Sequence, residues 1–560
     1  MKCTFHAAVL AALLTLTACS SLQESATEAA AAAVSATATQ DYADTVFVNG
    51  KILTVDDEFS IVSALAVKGE RIAAVGDRDS VAGLIGDATT VVDLAGKTVI
   101  PGLIDNHIHF IRAGQSWHVQ ARIDGVSKRQ DALDIIAAKA AAAKPGEWLM
   151  VQGGWWPQQF ADKPGDFTLE ELDIVAPNNP LFLQLVYFGA YANTLALKAV
   201  GVDPSHGAKF GKGEFIKPQP PYGKFNEQIT KASREQIKQN VRDVITRFNR
   251  GGLTSVYDVG RPPEGDITLL DEMLQEEGLN MRVWHTLKYE AYNEEDATAA
   301  IALIKRSKSN NGDYTGLLGI GEHAYLPFFD GPPTTTVYPD EIMEQFGRIS
   351  RAAAEQGFRM NEHTMKDQTA NSALEVWEEI NKDIPIAPLR WSLEHLFNQS
   401  DETLIRMRDL GVTAAVHSVS QTLPPNLQSP MQRMQELGVI WGLGSDGTIV
   451  TPWQPFVTLG WWAVSGKTVN GKTLFEDTVS RKDALVAHTR TNAFILFKEN
   501  DIGTLEVGKF ADLAVLSADY MTVPADEIKD IESVLTMVGG RIAYEATKAE
   551  VTKVDAAVTR

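Results

Sequence analysis

The sequence predicts an α/β protein: a (β/α)8 TIM-type barrel with a small composite β-sandwich domain built from both flanks of the barrel. Short apolar runs alternate with helical segments through the middle of the chain, a pattern typical of βα units around a parallel sheet. With the run that ends in His107 and His109 there are eight, the number that the barrel needs. The other seven are residues 253–260, 281–289, 316–325, 357–363, 389–395, 411–418 and 438–446.

Hairpin-like strands flank the barrel on both sides. Between residues 45 and 92, short strands are separated by tight turns, with Asn49-Gly50 as a hairpin signal. The segment after the last predicted helix also consists of short strands separated by turns, so both flanks are expected to pair into one small β-domain. We assign the sandwich to residues 43–98 and 501–548, and the barrel to residues 99–500.

A ninth strand-like run, residues 180–188, complicates the count. Proline, glycine and tryptophan fill its surroundings, so we assign it to an insertion at about residues 145–230, between the first and second barrel strands. If the run belonged to the barrel instead, every later strand number would shift by one.

Length and charge restrict the class of partner. A chain of 560 residues with 44% hydrophobic composition can bury a large core. Its formal net charge of −21 argues against nucleic acid or an anionic membrane surface as a partner. We expect a small-molecule substrate, and self-association into a homo-oligomer is compatible with this composition.

The first residues are typical of an export signal. Lys2 precedes an apolar stretch over residues 7–16, too short for a spanning helix, and Leu-Thr-Ala-Cys follows. This tetrapeptide resembles a bacterial lipobox, which predicts a signal peptide over residues 1–18 and lipidation at Cys19. A flexible tether over residues 19–42 would then hold the protein at the periplasmic face of the outer membrane. The alternative is ordinary cleavage near Ala18, which gives a soluble periplasmic protein.

The two cysteines exclude some kinds of site. Cys3 and Cys19 are the only cysteines, and cleavage removes the first, so no thiolate metal site or cysteine nucleophile is expected. Residues 549–560 are assigned to a tail.

The most informative motif is the pair His107 and His109 at the end of an apolar run. On a strand, residues i and i+2 point to the same face, so the two imidazoles can bind one metal ion, with Zn²⁺ the usual guest. In a parallel barrel, the active site lies at the carboxyl ends of the strands. The other polar residues expected there are Asp258, Glu322, His323, His363, His395, His417 and Asp446.

Several of these motifs together resemble the amidohydrolase superfamily, and within it amidohydrolase family 3, which includes N-substituted formamide deformylase. They are VIPGLIDNHIHF, NEH, LEH, GLGSD and the closing TNAFILF and GTLEVGKFADLAVL. The resemblance implies that His107 and His109 bind one metal ion and that His363 and His395 bind a second. It further implies that Asp446 binds metal and acts as the catalytic general base.

The fourth strand departs from the commonest family pattern. Many relatives carry a carboxylated lysine there that bridges two metal ions, whereas this chain has no lysine between Asp313 and Gly331. Glu322 can supply the bridging carboxylate, which favours a two-metal site. The competing interpretation is one ion held by His107, His109, Asp446 and one further histidine. Lys288 would be the bridge only if the strand count were wrong.

Four other residues are candidates for the substrate site. His417 either contacts substrate or is a structural histidine, and Asp258 either orients a ligand or caps the following loop. Trp155 and Trp156 either wall an apolar substrate pocket or pack in the core.

The predicted function is hydrolysis of a carbon–nitrogen bond other than a peptide bond, such as an amide, formamide or cyclic amide. A metal-activated water would attack the carbonyl, and Asp446 would transfer the proton. Two alternatives stay open: a non-catalytic binding lipoprotein of the cell envelope, and the same site acting on an ester or lactone or as a deaminase.

Overall fold

The computed structural model describes residues 42–187, 189–211, 221–229, 231–260, 264–330, 337–417, 428–468, 470–476 and 478–547. The predicted signal peptide, the lipidation site Cys19, almost all of the tether and the predicted tail lie outside these residues. Over the described part of the chain, no helix combines the length and the apolar character needed to cross a membrane.

Two sheets form the composite sandwich. The first contains β1 (Thr45–Val48), β4 (Ala64–Lys68), β5 (Arg71–Gly76) and β6 (Thr90–Asp93), in the order β5-β4-β1-β6. The second joins both flanks: β2 (Lys51–Leu53), β3 (Ile61–Val62), β7 (Thr98–Pro101), β20 (Leu513–Leu516), β21 (Ser533–Val538) and β22 (Arg541–Glu545). One apolar cluster, which includes Phe47, Leu65, Val99 and Leu513, fills the space between them. The composite sandwich predicted from the sequence is confirmed.

Eight parallel strands form the barrel, as predicted. They are β8 (Leu103–Ile108), β13 (Leu253–Asp258), β14 (Arg282–Thr286), β15 (Thr315–Ile320), β16 (Arg359–Thr364), β17 (Ser392–His395), β18 (Thr413–His417) and β19 (Trp441–Gly444). Backbone hydrogen bonds join the first and last strands at their carboxyl ends, where the amide of Asp446 donates to the carbonyl of His107 at 2.8 Å. The sheet is thereby nearly closed.

Helices cover the outside of the barrel. Their bounds are Arg234–Arg250, Glu264–Glu276, Glu294–Arg306, Asp340–Glu355, Asp367–Asn381, Asp401–Leu410, Met431–Leu437, Arg481–Ala487 and Arg490–Ile495. Several begin at a residue whose side chain accepts a hydrogen bond from a free amide of the first turn, as at Ser233, Asn293 and Ser400. Fully buried rings, such as Trp377 and Trp391, fill the layer between helices and strands.

The ninth apolar run lies outside the barrel. It forms β10 (Leu181–Leu185) in a separate sheet with β9 (Leu149–Gln152), β11 (Gly189–Ala192) and β12 (Lys209–Gly211). Helices Arg129–Ala142, Leu169–Val175 and Thr194–Ala199 accompany it. This sheet contacts the loop after β19, where the amide of Gly154 donates to the carbonyl of Ile449 at 2.7 Å.

Candidate metal centre

Six side chains meet at the carboxyl ends of the barrel strands, although they come from five separate strand ends. All six are buried, with exposed fractions between 0% and 8%. His107, His363 and His395 lie at or near the ends of β8, β16 and β17. The other three stand within two residues after a strand end: His109, Glu322 and Asp446. The structure therefore brings together every residue that the sequence predicts as a metal ligand.

The first donor group consists of His107, His109 and Asp446. The Oδ1 atom of Asp446 lies 3.1 Å from Nε2 of His109 and 3.6 Å from Nε2 of His107. One potential ligand atom from each residue lies within 4.8 Å of the other two, so one cation can contact all three.

The second donor group consists of Glu322, His363 and His395. The Oε1 atom of Glu322 lies 2.7 Å from Nδ1 of His363 and 3.1 Å from Nε2 of His395. Its other oxygen, Oε2, lies 3.7 Å from Nε2 of His107. Glu322 therefore stands between the two groups, in the place that a bridging carboxylate requires.

The hydrogen bonding of the cluster fits a divalent cation. The buried Nε2 atom of His107, which faces Asp446 and Glu322, has no hydrogen-bond partner among the described residues, which is costly unless another group binds it. Nitrogen atoms of His363 and His395 face each other at 2.8 Å. Imidazole and carboxylate donors at this spacing are the ligand set of zinc and similar divalent metals.

The electrostatics of the cluster also favour a cation. Although burial opposes it, the carboxylates of Glu322, Glu394 and Asp446 raise the pKa of His107 to about 10. Burial lowers the pKa of His395 to about 4, so its imidazole is neutral near pH 7, the form that binds metals. Burial likewise raises the pKa of the Asp446 carboxyl, to about 8. Burial of these charged groups is therefore energetically unfavourable, and a bound cation would offset that cost.

Buried polar residues hold the ligands in place from below. The Nδ1 atom of His107 lies 2.7 Å from Glu394, whose other oxygen accepts a hydrogen bond from Asn361. Asp105 accepts hydrogen bonds from the amides of His107 and Ser445, which ties β8 to the residue before Asp446.

His417 lies deeper than a substrate contact would. Its side chain is fully buried, its Nδ1 atom is 2.9 Å from Nδ1 of His395, and its ring centroid is 4.1 Å from that of His107. With His107 and His395 it forms a third group of donors close enough to share a cation. The structure thus places His417 against the ligands and not at the open mouth of the barrel.

Asp258 is placed as a cap. Its carboxylate accepts hydrogen bonds from the amide of Ile111 at 2.6 Å and from that of Gly260 at 2.9 Å. Ile111 belongs to the short helix Phe110–Gly114 that follows His109. Asp258 therefore holds the backbone next to a predicted ligand.

The predicted aromatic wall and the alternative bridge lie elsewhere. Trp155 is buried in the core of the insertion, where its indole donates to the carbonyl of Gln184 and its ring packs on Phe167. Trp156 adjoins it and is partly buried in the same cluster. Lys288 pairs with Glu290 on the surface.

Sequence reasoning missed Glu394, although it stands inside the LEH motif. Alternation along a strand places neighbours on opposite faces, so a residue next to His395 is expected to point away from the site. His395 has a φ of 70°, outside the extended range, and both side chains reach the cluster. The motif contains Glu394, but only the backbone conformation of His395 shows that the Glu394 side chain reaches the cluster.

Comparison with known proteins identifies the family of the chain. The sequence profile of the amidohydrolase family matches residues 90–544. The chain is 26% identical to Protein LONG AFTER FAR-RED 3 of Arabidopsis thaliana over 556 aligned residues, which cover 90% of this chain and 92% of that protein. It is 24% identical to N-substituted formamide deformylase of Arthrobacter pascens, with 90% and 99% covered.

The fold is also that of a solved structure, described as an uncharacterized metal-dependent hydrolase from Pyrococcus horikoshii OT3. The two superpose with a TM-score of 0.60 at 20% identity, and the match covers 86% of this chain and 99% of that one. Because the family profile matches most of the chain and the donor cluster occupies the expected end of the barrel, the chain belongs to the amidohydrolase family.

Proposed function

We propose that this chain is a metal-dependent amidohydrolase that hydrolyses a carbon–nitrogen bond other than a peptide bond, with Asp446 as the general base. The observation that carries the proposal is the pair of donor groups joined by Glu322 at the carboxyl end of the barrel. Family membership supports hydrolysis, and the name of the formamide deformylase relative supports an amide-like bond.

The donor set favours Zn²⁺. His107, His109 and Asp446 would hold one ion, and His363, His395 and Glu322 a second; a single ion on the first group is the alternative. Such a metal lowers the pKa of a water molecule and polarises the bond under attack. A carboxylate placed between the two groups, as Glu322 is, supports the two-ion arrangement.

The position of Asp446 supports its proposed role in proton transfer. It lies beside His109 at the carboxyl end of the barrel and directly follows Ser445, whose amide donates a hydrogen bond to Asp105. In the proposed reaction the oxygen of water joins the carbonyl carbon, and the carbon–nitrogen bond breaks. Asp446 takes the proton from the water and passes it to the leaving nitrogen, so the products are an acid and an amine.

We also propose where the protein is located in the cell, on the basis of its first residues. The motif ending in Cys19 supports export and a lipid anchor on the periplasmic face of the outer membrane. Labelling of growing cells with a radioactive fatty acid would be expected to mark the wild-type chain and not Cys19→Ser.

The function is tested with Asp446→Asn in the full chain. Purified protein loaded with zinc is assayed against formamides, N-acyl amides, cyclic amides, lactones, esters and aminopurines. We expect turnover of at least one amide class, and a loss of at least a thousandfold in kcat for Asp446→Asn. Asp401→Asn, an exposed residue on helix Asp401–Leu410, is the matched control.

Three results would contradict the proposal. Turnover restricted to lactones, esters or aminopurines would move the chemistry to another bond. Equal turnover by wild type and Asp446→Asn would remove the general base. Tight ligand binding without any turnover would indicate a binding protein.

A further inference from the structure

Arg112 stands next to the candidate metal centre with most of its hydrogen-bonding capacity unused. It lies on the helix Phe110–Gly114, three residues after His109. Its Nη1 atom donates to the hydroxyl of Tyr187, just beyond β10 of the insertion, at 3.2 Å. The other two nitrogens, Nε and Nη2, are buried and have no hydrogen-bond partner within the described residues.

Only one of the three guanidinium nitrogens of Arg112 has a hydrogen-bond partner among the described residues. Burial opposes the charge of Arg112, but Tyr187, Asp258 and Asp446 together raise the pKa of its guanidinium. No hydrogen bond joins Arg112 to either carboxylate among the described residues: Asp258 accepts two backbone amides, and Asp446 lies against the histidines. The two buried nitrogens are nevertheless left without an acceptor, which is costly, so a ligand that supplies one would be bound firmly.

The unused edge has a definite chemical preference. Nε and Nη2 present two parallel N–H groups, the arrangement that matches the two oxygens of a carboxylate. Other arginines of this chain use the same edge to bind a carboxylate through both oxygens. These pairs are Arg129 with Glu171, Arg282 with Asp512, Arg406 with Glu378 and Arg433 with Asp401.

We propose that Arg112 is a specificity-determining residue that binds a carboxylate of the substrate, with Tyr187 holding the guanidinium in position. The substrates would then be amides that carry a carboxylate beside the scissile bond, such as N-acyl amino acids. The inference rests on the proposed hydrolase function for the identity of the bond, but the carboxylate contact itself is independent of turnover.

The test compares acids with neutral compounds of the same shape. N-acetylglycine and N-isobutylacetamide differ only in a carboxylate against an isopropyl group, and N-formyl and N-acetyl derivatives of both leucine enantiomers extend the panel. Calorimetry measures binding to Asp446→Asn protein with and without Arg112→Met, and kinetics measures kcat/KM in the active background. Arg408→Met, an exposed arginine paired with Asp409 on an outer helix, is the control.

We expect at least one acid of the panel to bind at least 30-fold more tightly than its neutral counterpart. Arg112→Met should reduce that preference by at least 30-fold, both in binding and in the ratio of kcat/KM values, whereas Arg408→Met should leave it intact. Arg112→Lys should recover only part of the preference, because an ammonium group lacks the planar fork. The metal content and the thermal unfolding temperature of Arg112→Met should match those of the wild type.

The two proposals fail in different ways. Acids bound through Arg112 without cleavage of any amide would overturn the hydrolase function and leave the carboxylate contact standing. Amide turnover without a preference for acids, or a preference that survives in Arg112→Met, would overturn the role of Arg112 alone. So would loss of metal from Arg112→Met, since the residue would then support His109 instead of substrate.

Discussion

The Nδ1 atom of His107 lies 2.7 Å from Oε2 of Glu394, and both side chains are fully shielded from solvent. The second oxygen of Glu394 accepts a hydrogen bond from Asn361, which in turn accepts one from the hydroxyl of Tyr257. With Nδ1 directed at Glu394, His107 turns Nε2, the atom that would bind a metal, towards Asp446 and Glu322. A carboxylate behind a histidine fixes both the tautomer and the orientation of the ring.

Glu394→Gln is therefore expected to weaken metal binding, because the amide is a poorer acceptor and removes the charge behind His107. The affinity for zinc, measured by competition with a chromophoric chelator, should fall by about 10- to 100-fold. Glu402→Gln, on the exposed face of an outer helix, should bind zinc as the wild type does. An unchanged affinity in Glu394→Gln would show that the contact does not support a metal ligand.

A second relationship connects the insertion to the loop that follows Asp446. Arg122 donates to Asp124 through Nε at 2.7 Å and to the carbonyls of Gln152 and Thr448, each at 2.8 Å. Asp124 is almost wholly buried. The guanidinium thus joins β9 of the insertion to the segment that carries the proposed general base.

Arg122→Met should destabilise the protein by about 3–5 kcal/mol, since it leaves the buried charge of Asp124 without a partner. The double variant Arg122→Met, Asp124→Asn should recover much of this loss, because the unpaired charge is then absent. Urea denaturation followed by fluorescence measures both. If the double variant were as unstable as the single one, the ion pair would not be the cause.

The stability of the insertion should depend on pH through Glu171. Burial opposes ionisation, but hydrogen bonds from Arg129, Lys163 and the amide of Thr168 together lower the pKa of Glu171 from 4.5 to about 2. A depressed pKa in the folded state contributes stability above pH 4.5 that is lost as the pH falls towards 2. After allowance for solvent screening, the contribution is roughly 2 kcal/mol.

The measurement is the difference in Tm between the wild type and Glu171→Gln across a pH series. We expect the wild type to be more stable at pH 6 and the gap to narrow as the pH falls to 3.5. A gap of constant size over this range would mean that ionisation of Glu171 is not what stabilises the insertion.

The barrel was predictable because its strands are buried on both faces and read as continuous apolar runs between amphipathic helices. The same runs end in His107, His363 and His395, so strand ends and ligands were found together. The insertion was recognised from its composition, but its four-stranded sheet could not be derived, since β11 and β12 are short and their pairing depends on tertiary contacts.

The supporting residues were harder to predict. Glu394 was missed because strand alternation pointed it away from the site. His417 could be located but its depth could not, since a sequence does not show how far a side chain lies below the barrel mouth. The pairing of Arg112 with Tyr187 joins residues 75 positions apart through the packing of the insertion, which no local pattern records.

The central claim is that donors from separate strands share a divalent metal at one end of the barrel. A crystal structure of the full chain grown with zinc, with anomalous data collected at the zinc absorption edge, tests it most directly. We predict anomalous peaks bounded by His107, His109 and Asp446 and by Glu322, His363 and His395, with Glu322 in contact with both. Zinc found only elsewhere, with these side chains hydrogen-bonded to one another instead, would contradict the account.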